Sequence, residues 1–251
     1  MATIAIIQAR MSSTRLPGKI LFEIAPEKTI LSCMLERVAA SKEIDKTIIA
    51  TTTNPKDQVL VDYLEKAGQP YYVGNENDVL DRYYQAALVH GAKQGDIIVR
   101  MTSDCPIIDP KVIDETIQFF KSGDFDYASN NLEPYTYADG MDTEVFSFNT
   151  LEKTWKEATI PAHREHVTFY MWKNPNIFKI GQYKNHKPNQ AGYRLTIDYS
   201  VDYELLKEVY KNLYPKDPLF SNDMIVEFLN QHPEVKNLNS ETERNKSWKA
   251  A

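Results

Sequence analysis

The fold is decided close to the start of the chain, by the stretch Thr3-Ile4-Ala5-Ile6-Ile7-Gln8-Ala9-Arg10-Met11-Ser12-Ser13-Thr14-Arg15-Leu16-Pro17-Gly18-Lys19. It begins with an uninterrupted apolar run, which predicts a buried strand of a parallel sheet. A short loop with three fixed cations, hydroxyl side chains and a Pro-Gly turn follows at once. Ligands of open α/β sheets bind beyond the carboxyl ends of such strands. We therefore expect the loop to bind polyphosphate, such as that of a nucleotide triphosphate.

The Gly-Lys pair in this loop does not complete a P-loop. That motif requires a glycine where Ser13 stands and a Ser or Thr where Ile20 stands. A different phosphate-binding loop remains, in which Gly18 lets the backbone approach the ligand and the preceding proline stiffens the turn. The alternative is a solvated basic loop without a ligand. The hydroxyls and the Pro-Gly turn argue against it.

Composition restricts the partners and the compartment. The chain has 251 residues and a net charge of −6, which argues against nucleic acid or an anionic membrane as a partner. Its two cysteines, Cys33 and Cys105, can neither form a disulfide framework nor provide metal-ligand spacing. No apolar run approaches the roughly 20 residues that span a bilayer. We expect a cytoplasmic protein without a membrane or nucleic-acid partner.

Short β-branched runs alternate with amphipathic helical stretches over the first 130 residues, which predicts βαβ units and a mostly parallel sheet. The fold class is therefore α/β, and residues 1–233 are expected to form a single domain. An aromatic, turn-rich segment at 131–148 is interpreted as an insertion over the sheet edge, with a strand at 142–148. A helix over 161–172 and strands over 178–183 and 193–197 are predicted after it. The polar tail 234–251 is expected to fray.

Two aspartates follow apolar runs and are candidates for a metal site. Asp104 lies beyond the run at 97–99 and Asp198 beyond the run at 195–197, so both are expected at carboxyl strand ends. Two carboxylates there can hold Mg²⁺, which takes few protein ligands and several substrate oxygens. Each aspartate could instead cap the next helix, although Asp109 before a proline is a better cap than Asp104. Asp202 competes with Asp198 as the second ligand.

The middle of the chain offers candidates for binding an acceptor. Asp142 and Glu144 are two residues apart in a predicted strand, so both would face one side. They could hold sugar hydroxyls or an amine, or belong to a solvated strand face. Arg164 and His166 near a helix start could bind a carboxylate or phosphate. A structural Arg-Glu pair and a partly buried histidine are the alternative.

Several motifs together resemble a known family. They are Ile7-Gln8-Ala9-Arg10-Met11-Ser12-Ser13-Thr14-Arg15-Leu16-Pro17-Gly18-Lys19, Asn77-Asp78-Val79-Leu80-Asp81-Arg82-Tyr83-Tyr84, Val99-Arg100-Met101-Thr102-Ser103-Asp104-Cys105-Pro106, Met141-Asp142-Thr143-Glu144-Val145-Phe146, Arg164-Glu165-His166-Val167-Thr168 and Arg194-Leu195-Thr196-Ile197-Asp198. The set resembles the cytidylyltransferases that make CMP-linked sugar acids, such as CMP-Kdo and CMP-acylneuraminate synthetases. Gln8 in place of proline is most similar to the branch of spore-coat polysaccharide biosynthesis proteins.

The resemblance implies a Rossmann-like sheet of the nucleotide-diphospho-sugar transferase type and a homodimer, with 131–148 a candidate contact. It implies transfer of CMP from CTP to a sugar acid or phosphorylated acceptor, with release of pyrophosphate. Catalytic roles fall to Arg10, Lys19 and Asp104, and metal ligation to Asp104 and Asp198. The expected nucleotide-binding residues are Ala9, Arg10, Ser13, Arg15, Gly18, Lys19, Asp81, Arg82, Arg100, Thr102 and Ser103.

Two other functions remain open at this point. A glycosyltransferase of the related fold would explain the sheet and the metal, but it would typically carry an Asp-x-Asp motif, and residue 106 is Pro. A non-catalytic nucleotide-binding protein is the other alternative. The residues Thr102-Ser103-Asp104-Cys105-Pro106 stand where the Kdo enzymes have Gln-Gly-Asp-Glu-Pro, so the identity of the acceptor does not follow from the resemblance.

Overall fold

The computed structural model describes residues 1–187, 190–242 and 244. A seven-stranded sheet runs through the described part of the chain in the order β5-β4-β1-β6-β8-β7-β9. Its strands are β1 (Thr3–Gln8), β4 (Lys46–Thr52), β5 (Tyr71–Gly74), β6 (Ile97–Thr102), β7 (Tyr127–Ser129), β8 (Glu144–Ser147) and β9 (Ile180–Gln182). β8 pairs antiparallel with both neighbours, and the other pairings of this sheet are parallel. The predicted α/β class with a mostly parallel sheet is confirmed.

Helices and a small hairpin surround this sheet. The hairpin consists of β2 (Glu23–Ala25) and β3 (Lys28–Thr29). The helices are α1 (Ile30–Ala39), α2 (Gln58–Ala67), α3 (Val79–Val89), α4 (Pro110–Ser122), α5 (Phe148–Glu157), α6 (Pro161–Glu165), α7 (Phe169–Trp172), α8 (Ser200–Leu213), α9 (Asn222–Gln231) and α10 (Pro233–Lys236). In the described residues, no helix is long and apolar enough to cross a membrane.

The sheet divides the core because strand side chains alternate between its two faces. Ile4 and Ile6 of β1 pack with residues of α3 and α5 on one face. Ala5 and Ile7 of the same strand pack with α1, α2 and α4 on the other. A third cluster joins α8 and α9 to the loop at 137–141 and to Leu195 and Ile197. This third cluster places the segment that carries Asp198 beside the sheet edge.

Part of the segment 131–148 belongs to the sheet itself, which corrects the interpretation of the whole segment as an insertion over the sheet edge. Its strand β8 lies inside the sheet, between β6 and β7. Val145 and Phe146 are fully buried and Glu144 is 3% exposed. The strand therefore has both faces covered, and the alternation in its sequence does not mark a solvated face.

Two further predicted elements differ. The helix predicted over 161–172 is two short helices, α6 and α7, because the chain turns at Val167, whose φ is 55°. The strand predicted over 193–197 makes only a single bridge, from Arg194 to Asp139. Gly140 brings the two segments so close that a Cβ at this position would lie 2.5 Å from the Leu195 carbonyl oxygen.

The described part of the polar tail does not fray. Helix α10 and the 3₁₀ turn Asn237–Asn239 pack against α8 and α9. Val235 and Asn239 are buried, and the Asn239 side chain donates to the Arg194 carbonyl and to Asp202. Residue 243 and residues 245–251 lie outside the described residues.

Candidate functional site

A cavity of about 990 Å³ opens at the carboxyl ends of β1 and β6. Its walls come from the loop after β1, the turns after β5 and β6, α6 and the segment before α8. Of the residues expected from the sequence to bind ligands, its lining contains Ala9, Arg10, Ser13, Arg15, Lys19, Arg82, Arg100, Thr102, Ser103, Asp104, Asp142, Arg164, His166 and Asp198. Most of the predicted site is therefore brought together in one place.

The loop after β1 is closed by backbone contacts that fix its path. Gly18 has a φ of 74°, a left-handed conformation that favours glycine, and its amide donates to the Met11 carbonyl at 2.9 Å. Gly18 does not line the cavity. Its role is to turn the chain, so that Lys19 begins the following 3₁₀ turn with its side chain directed into the site.

Lys19 lies at the centre of the site, and its side chain is 8% exposed. Its ammonium is 3.3 Å from Asp104 Oδ2 and 3.1 Å from Asp198 Oδ1, and it also donates to the Ile197 carbonyl. Burial opposes the charged form, but the two carboxylates outweigh it and raise the pKa of Lys19. Asp104 has a lowered pKa because Lys19 and hydrogen bonds overcome the opposing effect of burial.

Asp198, rather than Asp202, faces the cavity. Arg15 Nη2 contacts Asp198 Oδ1 at 2.6 Å, and Arg194 Nη2 contacts Asp198 Oδ2 at 2.8 Å. Asp202 is fully buried behind them and accepts the backbone N–H groups of Asp198 and Tyr199, each at 2.9 Å. Asp202 therefore anchors the segment, and Asp198 is the better candidate ligand.

Arg194 is a site residue that the sequence reasoning used only as part of a motif. Besides Asp198, it contacts Asp139 at 2.9 Å and Asp202 at 3.0 Å, and its side chain is 9% exposed. Burial alone would lower its pKa, but these carboxylates raise the pKa of the guanidinium above its usual range. No local pattern signals this role because Asp139 is distant in sequence.

The turn after β5 forms another wall of the cavity, and the sequence analysis missed most of its residues. Glu76 lies 3.6 Å from Arg10 and accepts the Ser12 hydroxyl at 2.7 Å. Arg82 is 2% exposed and donates to the backbone carbonyls of Asn75 and Glu76 at 2.7 and 3.3 Å. Arg82 therefore shapes this wall as well as lining it.

Asp81 and Glu144 do not line the cavity. Asp81 accepts the Trp155 indole N–H at 2.8 Å. Glu144 is bound to Arg100 and accepts the hydroxyls of Tyr127 and Thr168, each at 2.6 Å. A nucleotide contact for Asp81 and an acceptor contact for Glu144 do not fit these positions. Glu144 is instead the buried counter-ion of Arg100, and its carboxylate raises the pKa of Arg100 against the effect of burial.

The other residues expected to bind an acceptor also line the cavity. Arg164 Nε is 2.7 Å from Asp78 Oδ2, and burial lowers the pKa of the His166 imidazole. Asp142 accepts the Asn131 amide at 2.7 Å and lies 3.3 Å from Arg244 Nη2. Burial, only partly offset by Arg244, raises the pKa of Asp142 to about 7. No pattern in the tail had indicated Arg244.

The carboxylates fit a hard divalent cation. No group of three or more His, Cys, Asp or Glu side chains that could hold a metal occurs among the described residues. Asp104 and Asp198 nevertheless both contact the ammonium group of Lys19, next to the loop that carries the other cations of the site. Mg²⁺ is commonly held by one or two carboxylates together with substrate phosphates, so two carboxylates suffice.

A mostly parallel sheet with a loop of fixed cations and two carboxylates at its carboxyl edge is typical of nucleotidyltransferases. The family model described as cytidylyltransferase matches residues 4–227, and the chain belongs to the cytidylyltransferase family. This finding confirms the family predicted from the sequence motifs.

Individual proteins are similar to this chain over nearly its whole length. An uncharacterized protein of Methanocaldococcus jannaschii is 38% identical over 99% of this chain and 98% of its own length. The spore coat polysaccharide biosynthesis protein SpsF of Bacillus subtilis is 33% identical over 92% of this chain and 95% of its own. A cytidylyltransferase structure from Leptospira borgpetersenii superimposes with a TM-score of 0.86 at 35% identity, covering 94% of this chain and 97% of that one.

Proposed function

We propose that this enzyme transfers CMP from CTP to a sugar acid or a phosphorylated acceptor and releases pyrophosphate, with Mg²⁺ as cofactor. The observation that supports it most directly is the contact of Lys19 with both Asp104 and Asp198 beneath the loop at 9–19. The family supports CTP as the donor. The similarity to a spore coat polysaccharide biosynthesis protein supports a role in the synthesis of a surface polysaccharide.

In this proposal the chain aligns the reactants and neutralises their charge. Arg10 and Lys19 bind the triphosphate and stabilise the pyrophosphate as it leaves, and Arg15 positions it. Asp104 and Asp198 would hold Mg²⁺, which supplies charge neutralisation at the phosphates when bound. The acceptor oxygen attacks the α-phosphorus in line with the bond to pyrophosphate.

Nucleotide and acceptor would share the cavity. Ala9, Ser13, Arg82, Arg100, Thr102 and Ser103 are on the nucleotide side of the proposal. In this proposal Arg164 and His166 bind an anionic group of the acceptor, and Asp142 binds a hydroxyl or an amine; all three line the cavity. A homodimer is also proposed. Its contact at 131–148 is restricted to exposed positions such as Glu133 and Pro134, since most of this segment is buried within the chain.

The test is incubation with CTP, Mg²⁺ and a panel of sugar acids and phosphorylated polyols, followed by mass spectrometry of the nucleotides. Pyrophosphate together with a CMP or CDP conjugate supports the proposal. Consumption of a ready-made nucleotide sugar would instead indicate a glycosyltransferase. Binding of CTP without any product would indicate a non-catalytic nucleotide-binding protein.

The variant Asp104→Asn tests the proposed metal ligand in the same assay. The amide keeps the size of the side chain but loses the charge expected to bind Mg²⁺. We expect turnover to fall by about 10²-fold or more, as for other groups that stabilise transition-state charge, while circular dichroism stays unchanged. Near-normal release of pyrophosphate would remove Asp104 from the mechanism.

A further inference from the structure

The Lys19 side chain has no hydrogen-bonding capacity left for a phosphate in this arrangement. An ammonium group has three donors. Asp104, Asp198 and the Ile197 carbonyl accept one contact each. Any contact of Lys19 with a triphosphate therefore requires Lys19 to leave at least one of these partners.

Both oxygens of the Asp198 carboxylate likewise already contact cations. Its Oδ1 lies 2.6 Å from Arg15 Nη2 and 3.1 Å from the Lys19 ammonium, while its Oδ2 lies 2.8 Å from Arg194. A divalent cation on Asp104 and Asp198 would meet the charges of Lys19 and Arg15 at close range. Like charges at such a distance repel strongly in a partly buried site.

Lys19 and Arg15 differ from Arg194 in the segment that carries them. Arg194 has two further carboxylate partners, Asp139 and Asp202, and is fixed in the core. Arg15 is 39% exposed along its side chain and lies in the loop expected to meet phosphate. Lys19 belongs to the same loop. Because Lys19 and Arg15 belong to the loop proposed to bind phosphate, a phosphate would reach these two cations, whereas Arg194 has two further carboxylate partners.

We propose that Lys19 and Arg15 act as exchangeable counter-ions of the metal-binding carboxylates, so that a divalent cation binds tightly only when a nucleotide triphosphate draws both side chains away. The inference rests on the proposed function, because it takes Asp104 and Asp198 as the metal ligands. It makes metal and nucleotide mutually dependent, since any coupling between two ligands is reciprocal.

The test measures Mn²⁺ binding to the full-length protein without nucleotide, by electron paramagnetic resonance. The wild type is expected to bind weakly. Lys19→Met keeps the apolar stem and removes the charge, and its nucleotide-free Mn²⁺ affinity is expected to be at least about tenfold higher, although its CTP affinity falls. Arg15→Met should change Mn²⁺ affinity in the same direction. Lys111→Met, at an exposed helical position, is the control and should match the wild type.

A lysine variant with unchanged or weaker Mn²⁺ binding than the wild type would overturn the inference. If Lys19→Met does not fold, Arg15→Met tests the same inference, because the Arg15 side chain is partly exposed and its replacement should not prevent folding. CTP binding by the wild type is measured separately, at a saturating concentration of Mn²⁺. Its absence would count against the proposed function, whereas normal CTP binding with tight nucleotide-free Mn²⁺ binding would count only against the counter-ion exchange.

Discussion

At the scale of single residues, the site is an arrangement of charges in which each carboxylate is matched to a cation. Asp198 is the clearest case, because three cations contact its two oxygens. The sequence predicted Asp198 from its position after an apolar run. It did not predict Arg194, whose carboxylate partners extend from Asp139 to Asp202, since local spacing carries no information on such contacts.

Replacing Arg194 tests its role as the fixed cation. Arg194→Met leaves Asp139, Asp198 and Asp202 without this partner in a largely buried setting. We expect the free energy of unfolding to fall by about 3–5 kcal/mol, the usual cost of breaking a buried ion pair. Urea denaturation checks this. An equal loss for Lys211→Met, which breaks an exposed pair on α8, would contradict a specific role.

Asp142 predicts a pH dependence of stability. Its pKa in the folded protein is raised to about 7, mainly by burial, with Asp139, Glu144 and Asp104 nearby and Arg244 opposing. A carboxyl with a raised pKa contributes its full stability below its unfolded pKa of about 3.9 and loses it as the pH rises towards 7.

Asp142→Asn cannot ionise and escapes this loss. Its stability relative to wild type is therefore expected to increase steadily between about pH 4 and pH 7 and then to level off. The informative quantity is the change of this stability difference with pH. Its absolute value also includes the altered contact with Arg244. Chemical denaturation at a series of pH values measures it. A difference that does not vary with pH would show that Asp142 has an ordinary pKa.

At the scale of secondary-structure elements, the sequence predicted the strands and helices that have a regular hydrophobic pattern. It missed the elements whose position or ends depend on tertiary contacts. The apolar run of β1 and the capped start of α4 at Pro110 were recognised. β8 was assigned to an insertion over the sheet edge because an aromatic, turn-rich stretch precedes it, yet it lies inside the sheet between β6 and β7. The turn at Val167 interrupts a helical pattern without glycine or proline, so no local signal indicated it.

A substitution at Gly140 tests how much the close approach of the 139–140 segment to Leu195 contributes to stability. Gly140 has a φ of 108°, and an added Cβ would lie 2.5 Å from the Leu195 carbonyl oxygen. Gly140→Ala is expected to cost more than about 2 kcal/mol of stability, since it adds a backbone clash to the strain of a positive φ.

Gly91→Ala is the matched control, because Gly91 has a φ of 88° with nothing within 4 Å of an added Cβ. It should cost only the conformational strain, about 1–2 kcal/mol. Thermal unfolding of both variants separates the two contributions. If they melt alike, the close approach of Leu195 is not important for stability.

At the scale of the whole molecule, buried side chains connect parts of the chain that are far apart in sequence. Arg37 in α1 is 1% exposed and donates to the carbonyls of Ile108, Pro218 and Phe220. It joins the first helix to the loops before α4 and α9. Nothing in the sequence pattern indicated that Arg37 would be buried.

Arg37→Met should reduce stability without changing the chemistry. Removing the guanidinium leaves buried carbonyl groups without a donor, so we expect a loss of about 2–4 kcal/mol. Arg37 does not line the cavity, and turnover per folded molecule should be unchanged. A lower melting temperature with normal CTP binding is the expected result. Loss of CTP binding in the folded variant would contradict it.

The contact between Lys19 and Asp198 joins residues 179 positions apart in the chain. Contacts of such long range form late, because closing a long loop costs entropy before the contact contributes energy. A partly folded chain, even one with its helices and β1 in place, would lack the pair of carboxylates around Lys19. Recovery of CTP binding during refolding should therefore follow the last kinetic phase and report on the native state alone.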